Sequence, residues 1–306
     1  TEFHYYDIFL VDMQGNMVYS VFKEVDYATS LVNGPYANSG LAQVYREAQK
    51  LNDRDKSILI DFKPYMPSYE APASFTASPI YDGRKQIGTL IFQMPIDIIN
   101  DVMTHGERWS EVGLGASGET YLVGADFTMR SMSRFMVEDK PAYLELMTDI
   151  GLDQSVIDEL DSKGTSIGIQ PARTVGIEKA LAGETGFEIF PDYRGVNVLS
   201  AYTHISVEGL EWVLMSEIDE EESFEPIYKL KQLIQIDVLI FAIVAIILGS
   251  ILGLFLANQI IKPINATVTT LHNIADGDGD LTLRLDESKD DEMSELAHWF
   301  NIFTTK

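Results

Sequence analysis

An unbroken run of nineteen uncharged residues, Val238 to Leu256, constrains this chain more than any other feature. As a helix rising about 1.5 Å per residue it is roughly 28 Å long, the thickness of a bilayer's hydrocarbon core. Ile, Leu, Val, Phe and Ala fill almost every position, so no polar stripe is left to face water, and a buried soluble helix is the poorer reading. The run predicts a transmembrane helix over 236–257. Ahead of it there is room for one large or two smaller domains, and behind it for a short module.

Composition fits around that span. With 47 acidic against 22 basic residues the formal charge is −25, so nothing here would neutralise phosphates and nucleic acid is excluded as a partner. Such acidity more commonly means a solvated surface than a binding device, attraction of a cationic ligand being the alternative. The chain has no cysteine, which removes disulfides and thiolate-bound metal. No signal peptide stands at Thr1, and trimming is expected at both ends. Lys229 and Lys231 before the span and Lys262 after it do not orient it.

The soluble part reads as α+β, two tandem units with antiparallel sheets. Tyr5 to Val21 alternates and breaks at Gly15-Asn16, a strand, tight turn and strand. Gly40 to Leu51 is helical, with Leu41, Val44, Tyr45 and Ala48 on one face. Ser57 to Phe62, Ala73 to Tyr81 and Gln86 to Met94 read as strands, the last two joined by Asp82-Gly83-Arg84-Lys85, and Ile96 to Met103 as a helix. A second unit echoes the first: Tyr121-Leu122-Val123 matches Phe9-Leu10-Val11, and Val196 to His204 with Glu211 to Ile218 match the closing pair. Between these, Lys140 to Thr185 reads as helix and loop with breaks at Ile150-Gly151 and Ala182-Gly183. Glu220 to Gln235 continues as helix into the span. The expected domains are 1–110, 111–220, a juxtamembrane helix 221–235, the span 236–257 and a final module 258–306.

These residues carry a family resemblance. Residues 1–220 resemble the double Cache sensor of bacterial transmembrane receptors, two PAS-like units in tandem, with a long N-terminal helix and first span missing. Gly115-Ala116-Ser117-Gly118-Glu119-Thr120-Tyr121-Leu122-Val123 is similar to the opening strand of its membrane-proximal unit, and Asp192-Tyr193-Arg194-Gly195 with Val198 to Tyr202 to a later hairpin. Residues 257–303 resemble a HAMP domain, in which the proline matched by Pro263 and the glutamate matched by Glu292 link membrane to output. The resemblance implies a chemotaxis transducer, a methyl-accepting chemotaxis protein, of the bacterial inner membrane, with the sensor outside, HAMP cytoplasmic and a methylated tail expected after Lys306. Cytoplasmic signalling proteins would be its partners through that output. The input half of a histidine kinase or nucleotide cyclase is the alternative.

The HAMP reading has a physical counterpart. Ile264, Val268, Leu271 and Ala275 are spaced four, three and four apart, and Met293, Leu296, Phe300 and Phe303 three, four and three, so each segment presents one apolar heptad seam. Two such seams cannot bury themselves alone, and a partner's pair would complete a parallel four-helix bundle in a homodimer. Pro263 suits a first helical turn, Gly277 and Gly279 release the connector, and Asp291-Glu292 place acid at a helix N-terminus.

Catalytic and metal-binding patterns are not found. Asp276, Asp278, Asp280 and Glu287 fall at EF-hand spacing, but Leu281 stands where the turn needs Gly. His4, His105, His204, His272 and His298 have no metal-ligand spacing. Gly115-Ala116-Ser117-Gly118 resembles a nucleophile elbow, except that Glu119 stands where GxSxG needs Gly. No enzyme activity, metal or cofactor is expected.

The resemblance places a small-molecule pocket in the membrane-distal unit. The amino-acid-binding subfamily uses an Arg with a following Trp-Tyr pair and an Asp for the ammonium. Gly34 to Ala48 has no such run, and Gln93 stands near the position of that Asp, so a standard amino acid is not the expected ligand. Tyr36, Tyr45, Asp61, Tyr65, Tyr69, Phe75 and Gln93 are the candidate lining, aromatic walls with a few fixed polar groups. Asp61, a lone acid after Ile58-Leu59-Ile60, is the foremost polar candidate because it would need a partner if buried.

Overall fold

In the computed structural model, which describes residues 5–277 and 279–306, the chain divides into two compact units, residues 1–225 and 226–306. The first unit holds two sheets. Strands β1 (Ile8–Asp12), β2 (Met17–Ser20), β3 (Ile58–Tyr65), β4 (Ala71–Asp82) and β5 (Lys85–Gln93) form an antiparallel sheet in the order β2-β1-β5-β4-β3. Helix α1 (Gly40–Ala48) covers it, started by Ser39, whose Oγ accepts from the amide of Ala42 at 3.2 Å. Its predicted face is the buried one: Leu41, Val44, Tyr45 and Ala48 pack with Phe9, Tyr65, Phe75 and Ile91. The helix stops at Ala48, short of the expected Leu51. Helix α2 (Ile96–Met103) follows β5 after Pro95.

The second sheet takes the order β6-β9-β8-β7, from β6 (Glu119–Gly124), β7 (Gly186–Pro191), β8 (Asn197–Val207) and β9 (Leu210–Asp219). Helices α3 (Arg134–Glu138), α4 (Lys140–Asp149), α5 (Gln154–Lys163) and α6 (Val175–Leu181) fill the connection between β6 and β7. Gly151 and Gly183 hold φ of +83° and +88°, a left-handed backbone that closes α4 and α6 at the predicted breaks. The edge strand β7 is not among the expected elements: its apolar–polar–apolar run Phe187-Glu188-Ile189, exposed throughout, is too short an alternation to mark a strand. Tyr121, Met129, Met147, Leu160, Val213 and Met215 form this sheet's core.

A third apolar cluster joins the two sheets. Phe62 of β3 stacks on Trp212 of β9 with ring centroids 5.7 Å apart, among Leu122, Ile167 and Leu210. Gly209, in the β8–β9 turn at φ +90°, comes so close to β3 that a Cβ there would lie 2.4 Å from the carbonyl oxygen of Leu59. Only glycine permits that approach.

Strand β9 leads directly into α7 (Glu220–Leu256), which passes through a π-helical turn at Ala257–Ile261 into α8 (Lys262–Asp276). This helix is long and apolar enough to cross a membrane. In the second unit, α8 and α9 (Glu292–Phe303) bury Thr267, Ser294, Ala297 and Phe300. Of the expected seam, Ile264, Val268, Leu271, Ala275, Leu296 and Phe303 stay exposed, Met293 and Pro263 are half-buried, and Phe300 is spent within its own chain. Asp291 caps α9, accepting from the amide of Ser294 at 2.9 Å, and Glu292 follows in the first turn. In the connector Asp280 accepts from Thr282, as a turn residue does; Asp278 and His4 lie outside the described residues.

Candidate functional site

The seven distal candidates divide four ways in the structure. Tyr65 and Phe75 belong to the aromatic core of the first sheet, their rings edge to face at 5.1 Å with Phe9 beyond at 6.2 Å from Phe75. Tyr36, ahead of α1, and Tyr45, on its inner face, are both buried, and the Tyr45 hydroxyl donates to the carbonyl of Asp12 at 3.0 Å, tying the helix to the first hairpin. Only Tyr69 and Gln93 line an open cavity, of about 360 Å³, together with Tyr6, Ser68 and the start of α2.

Asp61 must be reassigned. It lies on the side of β3 that meets the second sheet, where Arg130 donates to Oδ1 through Nε at 2.9 Å and to Oδ2 through Nη2 at 2.8 Å, and Trp212 Nε1 donates to Oδ1 at 2.8 Å. The partner is another part of the chain rather than a ligand.

Behind the cavity wall stand acids that the sequence did not single out. Glu24 accepts from Tyr6 at 3.3 Å and from Ser68 at 3.2 Å, two residues of the wall. Asp26, fully buried, accepts the Tyr65 hydroxyl on Oδ2, while its Oδ1 is left without a partner. Burial raises the pKa of both carboxyl groups, the hydrogen bonds from Ser68 and Tyr65 opposing it. Burial also drives the Tyr65 phenol well above its ordinary range, with the Asp26 charge adding to it. Gln93 is 5% exposed and its Oε1 also lacks a partner. Glu24 and Asp26 follow β2 in an irregular stretch, where no periodicity separates a buried acid from a solvated one.

The second sheet holds a different cluster. Glu119 and Glu217 face each other across β6 and β9, and with Asp192 they bring three buried carboxylates to within 4.8 Å. Every one of these groups is already engaged. Tyr193 donates to Glu119 at 2.7 Å, Ser200 and Tyr121 to Glu217 at 2.8 and 2.9 Å, and Arg194 to Asp192 at 2.6 Å. Burial pushes Glu119 up to about 7 and Glu217 up to about 8, so the facing pair holds protons that an exposed pair would lose. Glu119, the residue that breaks the nucleophile-elbow pattern, is thus part of a proton-holding core.

The second sheet also grips the start of α7. Glu222 accepts from the amides of Ala116 and Ser117 at 2.7 and 2.8 Å, and the amide of Asp219 donates to Ser117 Oγ at 3.0 Å. The Ser117 hydroxyl also donates to Glu222, and this bond first, with the Ala116 and Ser117 amides, lowers the Glu222 pKa.

Residues 255–306 match the HAMP domain family. The chain is 30% identical over 255 residues, 80% of its length, to the methyl-accepting chemotaxis protein PctB of Pseudomonas aeruginosa, and spans 33% of that relative. It is 42% identical over 62 residues, 20% of its length and 9% of the relative, to the methyl-accepting chemotaxis protein TlpQ of the same organism. Among solved structures, the ligand-binding domain of PctB in complex with L-Arg aligns with a TM-score of 0.42 and 12% identity, covering 74% of this chain and 71% of that one. The ligand-binding domain of the Pseudomonas fluorescens chemoreceptor CtaA in complex with L-leucine aligns at 0.40 and 11%, covering 72% and 73%. The chain is therefore related to the methyl-accepting chemotaxis proteins and carries a HAMP domain.

Proposed function

We propose that this relative of the methyl-accepting chemotaxis proteins is a transmembrane sensory receptor for chemotaxis: residues 1–220 bind a small extracellular molecule, and the membrane helix passes the event to HAMP. The observation that carries this reading is the order of parts along the chain. A 30% identity to a chemotaxis receptor covers most of it, and one helix runs from the end of β9 through the apolar run into α8. The reading divides the sensor into a membrane-distal unit, 1–110, and a membrane-proximal unit, 111–220. The sensor faces the periplasm or exterior, HAMP the cytoplasm, and the host membrane is the bacterial inner membrane. The exposed apolar residues Ile264, Val268, Leu271 and Leu296 support a homodimer, since a second copy is what would cover them. The receptor has no catalytic step of its own and acts on cytoplasmic signalling proteins through an output domain.

A chimera tests this. Residues 1–306 joined to the cytoplasmic signalling domain of a chemotaxis receptor, in cells lacking their own receptors, should give swimming responses to fractions of an environmental metabolite library. A chimera that inserts in the membrane and responds to no fraction would remove the reading.

A further inference from the structure

We infer that the cavity between the end of β5 and the start of α2 is a receptor site for a small organic cation, an amine or quaternary ammonium carrying no acid group. The inference rests on reading this chain as a sensor and names the chemistry of its ligand.

The cavity, about 360 Å³, suits a small molecule, and its polar equipment has one sign. Gln93, nearly fully buried, lines it, and its amide oxygen, itself out of reach of solvent, has no hydrogen-bond partner among the described residues. A buried acceptor left unpaired costs roughly 1–3 kcal/mol, so a rotation of the Gln93 amide that brought this oxygen onto a ligand's donor would recover that amount. Asp97 stands at the rim, and Glu24 backs the wall through its hydrogen bonds with Tyr6 and Ser68. Tyr6 and Tyr69 add aromatic faces, Tyr69 being 95% exposed and held there by a left-handed backbone at φ +56°. Ring faces and carboxylates both attract a cation. Among the described residues that line the cavity there is no lysine, arginine or histidine, and Lys163, in the adjoining pocket that shares Tyr69 and Asp97, is already paired with Glu159 at 2.7 Å, so a ligand carboxylate or phosphate would meet two acids and no free counter-charge in the cavity wall. The raised pKa of Glu24, set first by burial, is what an acid shows when no cation has yet compensated it.

Calorimetric titration of the full chain in lipid nanodiscs tests this with three probes of similar size: butylammonium, tetramethylammonium and butyrate. At least one cation should bind saturably and butyrate should not. Gln93→Leu should weaken the cation about tenfold. Asp97→Lys, at an exposed position that leaves the fold intact, should weaken it several-fold and keeps the test valid if the Gln93 variant unfolds. Butyrate binding as well as the cations, failure of both cations to saturate by about 50 mM, or cation binding indifferent to both substitutions would each overturn the proposal. Butyrate binding would leave the sensor reading standing, whereas cation binding with a silent chimera would remove that reading and keep the site.

Discussion

Arg130 reaches from the second sheet to grip Asp61 of the first with two hydrogen bonds, Nε to Oδ1 at 2.9 Å and Nη2 to Oδ2 at 2.8 Å. The arginine side chain is 3% exposed and is also held by Asp126, so its charge is buried and fully compensated. Trp212 donates to the same carboxylate, and its ring lies on Phe62. The two sensor sheets thus meet through a charged clamp set in an apolar patch. On the proposed receptor reading, this clamp ties the first sheet to β9, the strand that leads into α7.

Breaking the clamp should cost more than a surface ion pair. Asp61→Ala leaves a buried guanidinium with half its partners, and roughly 3 kcal/mol of stability should go. Gly124→Ala should act on the same joint, because a Cβ there would lie 2.3 Å from Arg130 Nη2. Chemical denaturation of the full chain in nanodiscs measures both. A change within about 0.5 kcal/mol for Asp61→Ala would mean that the clamp is not a structural element.

The stability of the sensor should fall as pH rises. Glu119 and Glu217 hold their protons up to about 7 and about 8 in the folded chain, against 4.5 ordinarily, so the folded state binds more protons than the unfolded across that window. Their contribution is complete below about pH 4.5 and is lost as pH passes through 7 and 8. Melting temperature should drop by several degrees between about pH 5 and pH 9. Glu217→Gln, which removes the charge and keeps one acceptor oxygen for Ser200 or Tyr121, should flatten the upper part of the curve. Identical pH profiles for the two proteins would place the dependence elsewhere.

The exposed HAMP residues should meet their counterparts in a second copy. Single cysteines at Leu271 or Leu296 should cross-link between subunits in membranes, while Thr267 and Ala297, buried within one chain, should not. A charged residue at Leu271 should weaken dimerisation, since an unpaired charge in an apolar seam costs more than the 2–5 kcal/mol or so of truncating a buried leucine. Cross-links confined to the opposite face would reject this register.

Signal transfer should depend on an unbroken α7. No glycine stands between Ile218 and Gly249, and Pro226 interrupts the hydrogen-bond ladder of α7 only near its start, so a helix shift of about 1–2 Å passed on beyond Pro226 has little to absorb it before the membrane. Inserting Gly-Gly-Gly at Lys231 should abolish the chimera's response while leaving ligand affinity within about twofold. Glu222→Ala, which frees the helix start from Ala116 and Ser117, should weaken the response in the same direction. A normal response from the inserted receptor would exclude a mechanical link through this helix.

Whatever depends on neighbours along the chain is legible in the order of its residues. The apolar run, the strand and helix periodicities, the heptad spacing after Pro263 and the Gly-marked breaks at Gly151 and Gly183 are all local, because a helix or strand shows its buried face every few residues. What the tertiary structure decided are relations between distant residues. Asp61 needed Arg130 and Trp212, 69 and 151 positions away, before its role could be told from that of a ligand contact. Glu119 and Glu217 became a proton-holding pair only through the register of β6 on β9, and Glu24 joined the cavity wall only through Tyr6 and Ser68. A charged side chain reads the same in sequence whether solvated, paired or waiting for a ligand. Its partners, and the water that folding removes, decide which.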